Sequence, residues 1–327
     1  MRDYGKAGGD NNAYTTGVLG GKPVVLVYPP GMGVLNAANV ATNLRYSSRN
    51  IRLGLVVGIA GGAPQTPEGD DIYLGDVLIS TAVIQYDFGR YYDDGPQRRT
   101  ELEKTLSKAP HEVLNFLTKM RGQRVRGKLV AKTIGYRGEL VAPDPHSDYL
   151  FDADYRHKHR GSHPCVTCGE CATWSDPVCT EAQELTCEEV GCRPNVAGHG
   201  PKSTVTRDPR EDGRQAMIYF GQYASGNSVV KSARLRDRLA KEDKVIGFEM
   251  EGAGTWEHFP TVLVKSVCDY ADSHKSKKWQ AFAAATAASC AKAVLEEWHS
   301  TDLSQIGTCL RPMALFLGQG CQRSWLT

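Results

Sequence analysis

What most constrains the fold of this chain is a series of short, unbroken apolar runs. Val24 to Val27, Leu53 to Ile59, Val77 to Ser80, Met217 to Phe220, Val245 to Phe248 and Val262 to Val264 each lack the polar alternation of a half-exposed strand. Such runs read as strands covered on both faces. Between them lie stretches with helical spacing. Val34 to Ser48 repeats Leu35, Ala38, Ala41 and Leu44 about one turn apart, and Pro110 to Arg121 gathers Val113, Phe116, Leu117 and Met120 on one side. Val229 to Leu239 and the Ala-rich Trp279 to Trp298 complete the helices. Strands alternating with helices predict an α/β fold, with a mixed, mostly parallel sheet flanked by helices. Pro29 to Gly33 reads as a turn, and Ala60-Gly61-Gly62 as a Gly-rich turn closing the second strand.

Three regions depart from this pattern. The first eleven residues are polar and Gly-rich and read as a disordered lead-in. Residues 142–214 are rich in Pro, Gly, Asp, His and Cys, and read as a surface insertion in a single domain spanning 1–300. Residues 301–327 read as an irregular tail. Six of the ten cysteines fall in the insertion: Cys165, Cys168, Cys171, Cys179, Cys187 and Cys192. Cys165-x-x-Cys168 with Cys171, Cys187 and Cys192 has zinc-like spacing at its front end, with His157, His159 and His163 nearby. The second half has no clean Cys-x-x-Cys, so unligated thiols compete with a structural zinc, and neither reading makes the cluster catalytic. The net charge of +2 gives no electrostatic reason for a nucleic-acid or membrane partner. Met1 to Gly5 form no apolar signal core, and no run reaches the roughly 20 apolar residues of a membrane helix. The expectation is a cytoplasmic protein.

Three stretches carry candidate chemistry. Gly58-Ile59-Ala60-Gly61-Gly62 follows a buried strand and lets backbone approach a ligand, or is a tight turn and nothing more. Phe248-Glu249-Met250-Glu251-Gly252-Ala253-Gly254 places two acids at a strand end, where ligands bind in open α/β sheets. A carboxylate there can accept both hydroxyls of a ribose diol, or simply favour a helix N-terminus. Ser266 to Lys275 sets Asp269 and Asp272 just past another strand. Asp269, nearer the strand end, is the preferred reactive acid, and Asp272 the expected cap of the next helix.

Taken in order, Gly-Ile-Ala-Gly-Gly, Ser225-Gly226-Asn227, Phe-Glu-Met-Glu-Gly-Ala and Cys-Asp-Tyr-Ala-Asp-Ser-His-Lys resemble the purine and uridine phosphorylase superfamily. That superfamily includes the methylthioadenosine and adenosylhomocysteine nucleosidases. Asp87-Phe88-Gly89 and the Trp279 to Ala288 stretch resemble its fungal branch, often attached to NACHT or ankyrin modules. The resemblance implies that Met250 and Glu251 bind ribose and that Asp269 addresses the imidazole-ring nitrogen of a leaving purine. It implies that Ala60, Gly61 and Gly62 line the nucleoside with Glu249 beside them, and that Val229 stands where related nucleosidases stack a Phe. It implies no metal or organic cofactor, a nucleoside as the small-molecule partner, and a homodimer or higher homo-oligomer.

Departures from the family pattern sharpen the expectation. Where the phosphorylases carry Arg and Ser or Thr for phosphate, Val56 and Ile59 stand here, which favours water as nucleophile. The family's first strand, with the nucleosidases' water-activating Glu, has no apolar counterpart among the ten residues before Asn11. Its loss would expose the edges of neighbouring strands. The acidic Glu68-Gly69-Asp70-Asp71 is a substitute source of a base. The expected function is thus purine nucleoside hydrolysis, impaired by the loss of that first strand. The alternatives are a non-catalytic nucleoside-binding module and a repurposed enzyme acting through another carbocation, such as one from an allylic diphosphate.

Overall fold

Each apolar run becomes a strand, because a backbone with branched and aromatic side chains on both faces is stable only inside a covered sheet. The computed structural model describes residues 5–93, 95–98, 109–160, 165–192, 216–299 and 313–318. It opens with a hairpin, β1 (Tyr14–Leu19) and β2 (Lys22–Val27), joined by Gly20 and Gly21 at φ 59 and 72. Two left-handed residues in a two-residue loop match the twist of paired strands, and glycine takes that conformation without strain. There follow α1 (Val34–Ser47), β3 (Gly54–Gly62), β4 (Val77–Gln85) and a small hairpin, β5 (Gly89–Tyr92) with β6 (Gly95–Arg98). Helices α2 (His111–Arg121) and α3 (Gln123–Arg137) come next. The Cys-rich segment contributes three one-turn helices, α4 (Val166–Glu170), α5 (Thr180–Glu184) and α6 (Cys187–Val190). Then come β7 (Ile218–Ser225), α7 (Ala233–Asp243), β8 (Val245–Glu249), α8 (Gly252–Trp256), β9 (Thr261–Asp269), α9 (Gln280–Glu297) and β10 (Met313–Leu317).

The eight-stranded sheet runs β1-β2-β10-β3-β8-β7-β4-β9, and β9 returns to pair with β3, closing the second half on itself. β10 with β2 and β3, β3 with β9, and β7 with β4 and β8 are parallel; β1–β2, β3–β8 and β4–β9 are antiparallel. The sheet is therefore mixed and mostly parallel, with helices on its faces. α9 packs against α3, β3 and β9, and its alanines Ala283, Ala284, Ala287 and Ala291 let it sit close. Gly254 of α8 does the same against α1, where a Cβ would stand 2.2 Å from the Val34 carbonyl oxygen. Among the described residues no helix is long and apolar enough to cross a membrane.

The structure corrects several expectations. Within the supposed irregular tail, Met313–Leu317 is a fully buried strand, β10, seated between β2 and β3. The inner edges that a missing strand would expose are thus paired by a segment from the far end of the sequence. Met313 to Leu317 is an unbroken apolar run of the same kind as those that form β8 and β9. Ala60-Gly61-Gly62 is not a turn but the end of β3, bulged against β9. Residues 5–11 of the lead-in are described and anchored: Asp10 is buried and accepts hydrogen bonds from Tyr14 Oη at 2.7 Å and from Ser47 Oγ. The helix expected from Val229 begins at Ala233, capped by the Ser232 side chain.

Candidate active site

β8 and β9 end in the two acidic stretches, and the end of β3 lies between them through its pairs Gly61↔Phe248 and Gly61↔Asp269. This convergence opens a cavity of about 370 Å³. Ala60, Gly61, Val229, Glu249, Met250, Glu251 and Asp269, all singled out in the sequence, line it. Gly62 does not. A Cβ on Gly62 would stand 2.7 Å from Val267 Cγ1, so glycine there allows β3 and β9 to approach rather than touching a ligand. Gly61 is tight for a similar reason, its notional Cβ 2.9 Å from Ala271 Cβ and 3.0 Å from Asp269 Oδ1.

Behind Glu251 stands Lys265, a cation in the middle of β9. Its side chain is buried, and Nζ lies 2.7 Å from Glu251 Oε2 and 3.8 Å from Glu249 Oε2. A lysine inside an apolar run was itself the signal, since a buried ammonium is tolerated only when paired. Burial alone raises the pKa of Glu251, but the Lys265 charge and hydrogen bond outweigh it and hold the carboxyl below its ordinary value. Glu249 goes the other way: burial and the neighbouring Glu251 charge lift its pKa against the pull of Lys265. Glu249 accepts hydrogen bonds from the backbone N–H of Glu251 at 2.9 Å and of Gly252 at 2.9 Å, which braces the turn into α8. Glu251 is thus held charged and oriented at the cavity, while Glu249 is chiefly a brace. Glu251 does stand at the N-terminus of α8, as N-cap, but its side chain makes no capping bond there and pairs with Lys265 instead.

Asp269 ends β9 and is held by its own loop. Lys275 Nζ lies 2.6 Å from Oδ1, and the Ala271 N–H donates to the same oxygen at 2.9 Å. The Cys268 thiol, its pKa pushed well up by burial, donates to Oδ2 at 3.4 Å. The turn is strained, with Ala271 at φ 52, a conformation that costs an L-residue about 1–2 kcal/mol. It is fastened at several points. Tyr270 Oη donates to Asp148 Oδ1 at 2.6 Å, Ser273 Oγ to the Lys231 carbonyl at 2.7 Å, and Arg236 Nη1 to the Tyr270 carbonyl at 2.9 Å.

Other residues fall elsewhere. Asp272 caps no helix: its carboxylate accepts the His274 N–H at 2.8 Å and faces Arg236, while Ser276 caps the next turn. Val56 is in the core, and Ile59 presents an apolar side chain to the cavity. Val229 is half exposed on the loop before α7. The Glu68 to Asp71 stretch forms a surface loop away from the cavity, with Asp71 bonded to Gln65. Gly318, just past β10, reaches the cavity wall beside Lys265. The motif Ser225-Gly226-Asn227 meets Asp87, whose Oδ2 accepts the Asn227 N–H at 2.7 Å, and Asn227 Oδ1 receives the first N–H of α1 at 3.0 Å. A larger hollow of about 520 Å³, between the Cys-rich segment and α7, contains neither Glu251 nor Asp269 and is not the candidate site.

Over 292 residues the chain is 34% identical to a nucleotide-binding leucine-rich repeat (NLR)-like protein of Hyaloscypha variabilis, covering 88% of this chain and 26% of that protein. It therefore spans about a quarter of that curated relative. Among solved structures, a 5′-methylthioadenosine/S-adenosylhomocysteine nucleosidase from Helicobacter pylori, bound to butyl-thio-DADMe-Immucillin-A, is 15% identical with a TM-score of 0.49, covering 90% of this chain and 88% of that one. The corresponding nucleosidase from Neisseria meningitidis, with methylthio-immucillin-A, is 17% identical with a TM-score of 0.45, covering 91% and 90%. The sequence profile of the phosphorylase superfamily matches residues 3–296. That match takes in β3, β8 and β9, the strands whose ends build the cavity, and the chain belongs to the phosphorylase superfamily.

Proposed function

We propose that this cavity cleaves the N-ribosyl bond of a purine nucleoside by hydrolysis. The observation that carries the reading is that Glu251 and Asp269 open on one cavity, each paired with a lysine of its own. Cleavage builds positive charge on the ribose and negative charge on the leaving base. Glu251, held charged by Lys265, accepts the ribose hydroxyls and stabilises the first. Asp269 addresses the base nitrogen, and the adjacent Lys275 ammonium offsets the second charge and can resupply the proton that the base takes away. Water adds its oxygen to the anomeric carbon, and its remaining proton balances the one delivered to the base.

Water is favoured over phosphate because Ile59 and Val56 offer no anion contact, and because the cavity cations Lys265 and Lys275 are each committed to a carboxylate. The same commitment counts against an allylic diphosphate. A homodimer or higher homo-oligomer remains part of the proposal, to be read by light scattering.

The test is incubation of the chain with a panel of nucleosides, with and without phosphate, and chromatography of bases and sugars. Free base and ribose, formed equally without phosphate, are expected. Ribose 1-phosphate formed only with phosphate would overturn the hydrolytic reading. Nucleoside binding without any cleavage would instead assign the chain as a binding module.

A further inference from the structure

The Cys-rich segment does not scatter its thiols. It gathers them, with three histidines, into two four-membered groups: His159, Cys165, Cys168 and Cys179 in one, and His157, Cys187, Cys192 and His274 in the other. Cys171, counted with the front cluster in the sequence, belongs to neither, while Cys179 does; His163 lies outside the described residues. His157 belongs to one group and His159, two residues on, to the other.

The spacing within each group is that of a coordination tetrahedron. Zinc–sulfur bonds of about 2.3 Å and zinc–nitrogen bonds of about 2.0–2.1 Å put neighbouring ligand atoms roughly 3.4–3.8 Å apart. In the first group, His159 Nδ1 lies 3.7, 3.4 and 3.9 Å from the sulfurs of Cys165, Cys168 and Cys179, and Cys165 Sγ lies 3.7 Å from Cys179 Sγ. In the second, Cys187 Sγ is 3.7 Å from His157 Nδ1 and 3.5 Å from His274 Nδ1, and Cys192 Sγ is 3.8 Å from His157 Nδ1. A disulfide needs about 2.05 Å between sulfurs.

The surroundings prepare these atoms as ligands. His157 Nε2 is 2.8 Å from the Ala182 carbonyl oxygen, and His274 Nε2 is 2.8 Å from that of Tyr155. An Nε2–H donating to a carbonyl leaves the Nδ1 lone pair aimed at the group's centre, the usual second partner of a metal-bound imidazole. Backbone N–H groups of His159 and Ala182 point at the sulfurs of Cys168 and Cys179, at 3.3 and 3.5 Å. The segment also has little else to hold it. Its helices are single turns, and its buried cluster comprises Ala182 and Val190 beside Cys168 and Cys192. Helices this short do not stand alone, and so small a core needs a staple.

We propose that the segment binds two zinc ions, one in a Cys₃His and one in a Cys₂His₂ site, both closed and structural. Thiolate and imidazole ligands in tetrahedral array, with no open position, suit zinc. The second ion has a further consequence, because His274 belongs to the loop that bears Asp269 and Lys275. That ion ties the Cys-rich segment to the active-site loop and holds the loop's strained turn in place. The metal assignment stands whatever reaction the cavity serves.

The test is metal analysis by mass spectrometry of the untagged, reduced full chain, refolded with excess zinc and dialysed. About two zinc per chain are expected. Cys165→Ser and Cys187→Ser should each lower this to about one. Fewer than two zinc in the parent chain, or Cys165–Cys179 and Cys187–Cys192 disulfides that persist under reduction, overturn the assignment. Hydrogen exchange of residues 270–274 tests the coupling. It should become about tenfold faster or more in Cys187→Ser and stay unchanged in Cys165→Ser. Equal exchange in both variants would overturn the link between the second ion and the loop, while leaving the metal count to decide the sites.

Discussion

The cavity and the Cys-rich segment are adjacent, yet they are ordered by different forces. The cavity stands on the ends of β3, β8 and β9, whose side chains fill large apolar clusters, so its acids sit at the edge of a scaffold held by burial. Among its described residues, the segment from about residue 150 to 192 has one small apolar cluster, and its polar Cys and His side chains do the organising. In the first region burial comes first and function is placed at its edge. In the second, ligation comes first and burial follows. The two meet at residues 269–275, where the strand end carries Asp269 and the loop after it carries His274.

Removing zinc should separate the regions most sharply. Structural zinc supplies on the order of 10 kcal/mol or more in small modules. A strong chelator should therefore open residues 150–192 to proteolysis while the sheet stays resistant, as read by mapping the fragments. Simultaneous loss of both regions would show that they form one cooperative unit.

Breaking the buried pair inside the sheet is the converse experiment. Lys265→Met leaves Glu251 charged and buried without its partner, and breaking such a pair costs about 3–5 kcal/mol. Denaturant unfolding should report that loss, with the zinc content of the folded variant unchanged. A stability equal to the parent chain would mean that Lys265 does not anchor Glu251.

Chemistry at the junction comes next. Asp269→Asn should lower turnover about a hundredfold or more, with a smaller effect on substrate affinity. Both zinc ions should be retained, since Asp269 is not a ligand. Unchanged turnover would remove Asp269 from the reaction. The smallest expected effect is at the open wall. Val229 is half exposed at the cavity, and Val229→Phe adds an aromatic face for a base, worth about 0.5–1.5 kcal/mol. Nucleoside affinity measured by calorimetry should rise severalfold; no change would show that the base does not lie against this loop.

The sequence by itself determined what is local. Unbroken apolar runs specified β2, β3, β4, β7, β8 and β9, because a strand covered on both faces has no other stable composition. The acids at the strand ends, Glu251 and Asp269, were legible for the same reason: once the strands are placed, their ends are known. Tertiary structure alone decided what depends on distant partners. β10 fills the sheet between β2 and β3 although nothing in its five residues names those neighbours. Gly62 proved a point of strand contact, and Lys265 the partner of Glu251, only when β3, β8 and β9 converged. His274 joined cysteines more than eighty residues earlier in the chain. Local periodicity is written in neighbouring residues, whereas strand order, ion pairing and ligand sets are settled by which surfaces the folded chain brings within a few ångströms of each other.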